Sequence, residues 1–139
     1  MISDIIQAIA DKLAELYSGY KIYVDDVTQN FSTPSFLIVL ANQEYGKRIS
    51  GTCAGASKAT FDVAYFSDKE EQDIKSDCRT VQENLLREID LIGDFRAMGK
   101  NAQITDNVLH IIFDVRYSEI RVEAPEKMNA ETINTKFIF

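Results

Sequence analysis

The chain is poor in the residues that most chemistry needs. Its 139 residues include one histidine, two cysteines and no tryptophan. A single histidine, His110, leaves little acid–base capacity near neutral pH. The two cysteines, Cys53 and Cys78, are too few for a disulfide framework and read as free thiols of a reducing compartment. Together with His110 they give three scattered soft ligands, short of the four that structural zinc takes. Basic residues are the minority: 15 Lys and Arg against 22 Asp and Glu, a net charge of −7. That balance argues against general duplex-DNA binding, which needs a basic face to displace counterions. It favours solubility. No apolar run reaches membrane-spanning length. The opening Met1-Ile2-Ser3-Asp4 puts an acid where a secretory signal needs bases, so the expected site of synthesis and use is a cytoplasm, or a particle assembled there. There is no internal repeat and no linker dividing the chain.

What remains is a strong order of segments, in a length suited to one core. Ile2, Ile5, Ile6, Ile9, Leu13, Leu16 and Tyr17 recur at helical spacing, with Ser3 or Asp4 as candidate caps and Ser18-Gly19 as a stop. Tyr20 to Val24 alternates like a strand. Asp25-Asp26 and Asn30 to Pro34 form a bend, Pro34 biasing its neighbour toward extended geometry. Phe36 to Leu40 is a short continuous apolar run, read as a strand covered on both faces. Thr60 to Phe66 is a further strand, with Phe61, Val63 and Tyr65 on one face. Ser67-Asp68-Lys69-Glu70 has capping-box form. The helix it opens should bury Ile74, Cys78, Val81, Leu85, Ile89 and Ile92, with Gly93 as its C-terminal stop. Asp94 to Asn101 reads as a connector. Gln103 to Thr105 and Val108 to Tyr117 pair across Asp106-Asn107, residues that accept the positive φ of a tight hairpin. The expected fold is α+β: a mainly antiparallel sheet of about four to six strands, with two helices, about 2–18 and 68–92, packed on it.

Two segments stand apart. Residues 42–58 form a polar, Gly-rich insert, a stretch that in a small domain is usually functional or disordered. Its glycines, Gly46, Gly51 and Gly55, lack the Gly-Lys-Ser/Thr ending and following helix of a phosphate loop. Residues 123–139 read as an extended tail ending Lys136-Phe137-Ile138-Phe139, whose apolar end suits edge pairing with a neighbour or with its own sheet. His110 and Asp114 share a strand face and are the one acid–base pair to weigh; an ordinary strand histidine is the commoner outcome. No catalytic constellation and no cofactor site is legible, which points to a binding or assembly module.

The run Ile22-Tyr23-Val24-Asp25-Asp26-Val27-Thr28-Gln29-Asn30-Phe31-Ser32-Thr33-Pro34-Ser35-Phe36 resembles the Tyr…Val-x-Gln-x-Phe-x-x-Pro-x-Phe stretch of phage tail terminator proteins from phages and prophages of Gram-positive bacteria. Phe61 to Phe66, ending in Tyr-Phe before the long helix, is similar to that family's second signature. Asp106, Leu109, His110 and Tyr117 resemble its last hairpin. The resemblance covers roughly residues 2–122, taken as one domain. It implies a non-enzymatic subunit without cofactor that forms a six-membered ring on the tail tube. Such a ring halts tube polymerisation and offers its other face to the head connector. Its partners would be copies of itself, the tube protein and the connector protein, with DNA passing through the bore unbound. It would reside in the virion tail, or a phage-tail-like particle, after assembly in the host cytoplasm. Tyr45, Lys47, Arg48, Lys58, Phe137 and Phe139 are the candidate subunit or tube contacts. Another head–tail connector or neck protein, or a small ligand-binding domain or enzyme using the His110/Asp114 face, is the alternative.

Overall fold

Alternation along residues 57–117 sets the frame. In the computed structural model, which describes residues 1–45 and 57–117 together with the backbone of 48–49 and 52–53, ten strand or helix segments follow in the order α1 (Ile2–Leu16), β1 (Lys21–Val24), β2 (Ser35–Glu44), β3 (Arg48–Ile49), β4 (Thr52–Cys53), β5 (Ser57–Phe66), α2 (Glu71–Glu88), β6 (Leu91–Ile92), β7 (Phe95–Thr105) and β8 (Val108–Tyr117). Six of the strands form one sheet in the order β1-β2-β5-β8-β7-β6; β3 and β4 pair separately. Among the described residues only the β1–β2 pair is parallel. The fold is α+β, with a mostly antiparallel sheet and two helices.

One sheet face carries the core. Phe36 and Ile38 on β2, Ala59, Phe61, Val63 and Tyr65 on β5, and Leu109, Ile111, Phe113 and Val115 on β8 are all buried. Register places Phe61 beside Phe113 and Val63 beside Ile111, so the period-2 pattern of each strand adds to the same layer. Ile5, Ile9 and Leu13 from α1 and Cys78, Val81 and Leu85 from α2 cover it. α1 lies against β1, β2 and β6, while α2 lies against β7 and β8. The apolar stripe of α1, with Ile5, Ile9 and Leu13 at i, i+4 and i+8, thus faces the sheet. A ring cluster ties α1 to the sheet: Tyr17–Phe36 centroids are 5.4 Å apart and Tyr20–Phe36 5.8 Å.

Several expected boundaries move. α2 starts at Glu71, without a side-chain cap, because Ser67 is used elsewhere. Its Oγ accepts from the Lys69 amide and donates to Asp77 Oδ2 at 2.6 Å. Neither Ser3 nor Asp4 caps α1, which starts at Ile2 after Met1. α2 also ends at Glu88: Ile89 and Ile92 are buried as expected, but from an extended segment. Gly93, φ +60°, turns the β6–β7 hairpin rather than stopping a helix, and a Cβ there would lie 3.3 Å from that of Ala8. The supposed connector Asp94–Asn101 is mostly strand, the first part of β7, with a bulge between Met98 and Asn101 where Gly99 has φ +61°. Asp106 and Asn107, both at positive φ, form the expected tight turn.

Among the described residues no helix lies on the second sheet face. Near β1 it is covered by the crossover 25–34: Phe31 packs on Tyr23 and Phe66, and the Ser32 amide donates to Tyr23 Oη. Leu37 and Val39 are therefore half-buried, and β2 is fully covered on one face only.

Candidate assembly surface

Residues 42–58 are more ordered at their ends than a loop. Asn42 to Glu44 continue β2, and Ser57 and Lys58 begin β5; the two runs pair as far as Glu44 opposite Lys58. Between them Arg48 pairs with Cys53 and Ile49 with Thr52. The insert is thus carried on a strand extension, with a bulge between Leu40 and Asn42. Lys58 Nζ lies 3.6 Å from Glu44 Oε2 and closes its mouth. Tyr45 follows, 65% exposed. Gln43 Nε2 donates to Tyr117 Oη at 2.7 Å. Tyr117, the last described residue, ends β8 opposite Ser57, at the same end of the sheet as the insert. Of the sequence-derived contacts, Tyr45 and Lys58 are brought together there, with the backbone of Arg48 in β3. Lys47, Phe137 and Phe139, and the side chain of Arg48, lie outside the described residues.

The helix-free face holds the charged side chains of the central strands. His110 Nδ1 sits 3.1 Å from both oxygens of Asp62 on β5. Asp114 instead accepts from Thr60 Oγ1 at 2.6 Å. The two residues weighed as an acid–base pair therefore have different partners. Asp62 was not singled out in the sequence; its place opposite Ile112, diagonal to His110, follows only from strand register.

The remaining polar group lies at the helix side. Asp77 accepts from Tyr65 Oη and Ser67 Oγ, both at 2.6 Å, fixing the β5–α2 junction. Burial and the neighbouring Asp77 carboxylate push the Tyr65 hydroxyl far above its usual range. Burial likewise raises Tyr17, whose oxygen accepts from Asn84 Nδ2 at 2.7 Å, and the thiol of Cys78. Raised values keep these three groups protonated at neutral pH. A hollow of about 410 Å³ lined by Lys69, Asp73, Ser76, Asp77 and Thr80 adjoins this junction. Among the described residues no cluster of metal-ligating side chains occurs, and no helix is long and apolar enough to cross a membrane.

The described geometry is that of two helices on one sheet, with Tyr45, Lys58 and Tyr117 at one end of it. Residues 4–127 match the family described as phage tail terminator protein. The chain belongs to the phage tail terminator family. No curated protein matches it. The match spans α1 through β8 and takes in both the insert and the first residues beyond Tyr117. Tail terminators are structural proteins, and this terminator domain has its place in the virion tail.

Proposed function

We propose that this terminator works as a ring, of six copies, seated on the end of the tail tube, where it stops tube growth and presents its far side to the head connector. The family match over residues 4–127 carries this reading. A ring needs two different surfaces on each subunit so that contacts run head to tail until they close. The insert end supplies one: Tyr45, Lys47, Arg48 and Lys58 are the residues assigned to contact a neighbour or the tube. Phe137 and Phe139 extend that set, on a segment that starts from the same end of the sheet as the insert. The net charge of −7 on each copy suits a bore through which DNA slides without being held. Ring assembly takes place in the host cytoplasm, before heads join.

The test is growth of purified tail tube in vitro. Tube subunits alone polymerise without a fixed end point; adding this chain caps the tubes and stops elongation. A chain lacking residues 46–55 folds, because β2 and β5 remain paired, yet no longer caps. Tubes that elongate equally with and without the intact chain would refute the reading.

A further inference from the structure

Among the described residues the sheet has two edges without a partner strand, and they match. At one edge is β1; among the described residues no strand lies outside it. At the other, β6 covers only Phe95 and Arg96 of β7, and Asp90 O takes the Ala97 amide. From Met98 to Thr105 the outer side of β7 has no strand among the described residues.

Three features make these edges complementary. The first is level. Register runs straight across the sheet from Lys21 through Ser35, Phe66 and Val108 to Thr105, and from Val24 through Ile38, Val63 and Ile111 to Ala102. The second is direction: β1 runs with β2 and therefore opposite to β7. The third is backbone phase. Asp25 donates to Ile38 O, so alternation points Tyr23 at β2 and turns the backbone groups of Ile22 and Val24 outward. Val24 O is already used by the Asp26 amide. On β7, the two-residue turn at Asp106-Asn107 makes Thr105 and Val108 a hydrogen-bonded pair, so Gln103 faces β8 while Ala102 and Ile104 face out. Outward Ile22 is level with outward Ile104. Side chains agree as well. Ile22 and Val24 lie on the helix side, as do Ala102 and Ile104, while Lys21 and Tyr23 lie on the open side with Thr105 and Gln103. Val24 is among the few large apolar side chains left exposed.

We infer that β1 of one copy adds to the outer edge of β7 of the next as an antiparallel strand, with Ile22 opposite Ile104. The contact joins two different edges, so it propagates head to tail; it rests on the reading that copies of this chain assemble with one another. Backbone hydrogen bonds supply the affinity, and the apolar helix-side pairs fix the register.

Disulfide trapping tests it. In this register Lys21 and Thr105 form a non-hydrogen-bonded pair with Cα atoms about 4.5 Å apart, within disulfide reach. Both are exposed, so Lys21→Cys and Thr105→Cys leave the fold intact. In a Cys53→Ser background, the double variant is oxidised in purified particles and as purified chain at high concentration. The expected result is a ladder of disulfide-linked multiples on a non-reducing gel, absent from each single variant. Pairing Lys21→Cys with Asn101→Cys, out of register, gives at least about tenfold less linkage, the effect of roughly one lost backbone hydrogen bond. The inference is overturned by no ladder in either sample, by equal linkage through Asn101, or by Thr105→Cys alone giving dimers, which would mark a two-fold contact. The ladder reports the contact and tail capping reports the role, so each fails separately.

Discussion

Two side chains bind the secondary-structure elements more than their polarity implies. Lys100 reaches back from β7 to donate to Leu86 O at 2.7 Å and Ile89 O at 2.6 Å, satisfying carbonyls that the end of α2 leaves unpaired. Lys100→Met keeps the stem but removes both bonds, and should cost about 1.5–3 kcal/mol in urea unfolding. Tyr65 closes the opposite end of α2 through Asp77. Its hydroxyl ionises far less readily in the folded chain than at the ordinary value of 10.0, and Tyr17 and Cys78 are raised in the same direction. A raised folded value means that stability is fully present below the unfolded value and is lost as pH rises beyond it, because the unfolded chain releases its protons first. Stability should therefore hold to about pH 8, begin to fall as the unfolded range of Cys78 is passed, and fall further through pH 10 and above, the unfolded range of the two tyrosines. Tyr65→Phe should flatten that alkaline decline in a pH series of thermal melts. An unchanged slope would assign the decline to other groups.

Among the elements, those with a full apolar stripe were legible, as was the edge strand β1 from its alternation, whereas β7 was legible only in its second half. β5 and β8 are central strands, and their buried faces follow directly from alternation of Phe61, Val63 and Tyr65, and of Leu109 to Tyr117. The start of β7 was hidden because an edge strand tolerates polar residues and a glycine bulge, so Arg96 to Asn101 carries no alternation. The end of α2 was overrun because Ile89 and Ile92 keep helical spacing while packing from an extended segment, and periodicity cannot separate the two. The insert appeared longer than it is, since Asn42 to Glu44 pair through their backbone with exposed side chains. Within the assembly surface, Tyr45 and Lys58 were legible as polar-insert residues, whereas Gln43–Tyr117 and Asp62–His110 join residues far apart in sequence and needed strand register. The β7–β8 hairpin depends on Asp106 at φ +52° and Asn107 at φ +62°. Asn107→Val should cost about 1–2 kcal/mol, while Asn107→Gly should be nearly neutral, read by the urea midpoint of each.

At the scale of the whole molecule, the parts serve one arrangement. Among the described residues the helices cover one sheet face and none lies on the other, two strand edges have no partner strand, and the insert and Tyr117 lie at one end of the sheet. Each feature is a liability in a solitary protein, because open edges and exposed apolar residues invite association. In the proposed ring each becomes functional, because association is then the purpose. The central claim is that this chain ends tail growth by capping the tube. Tail length is its most direct readout. Electron microscopy of particles made without this chain should show tubes of widely varying and excessive length with no heads attached, and supplying the chain in trans should restore a single narrow length. Tails of normal, uniform length in its absence would contradict the account.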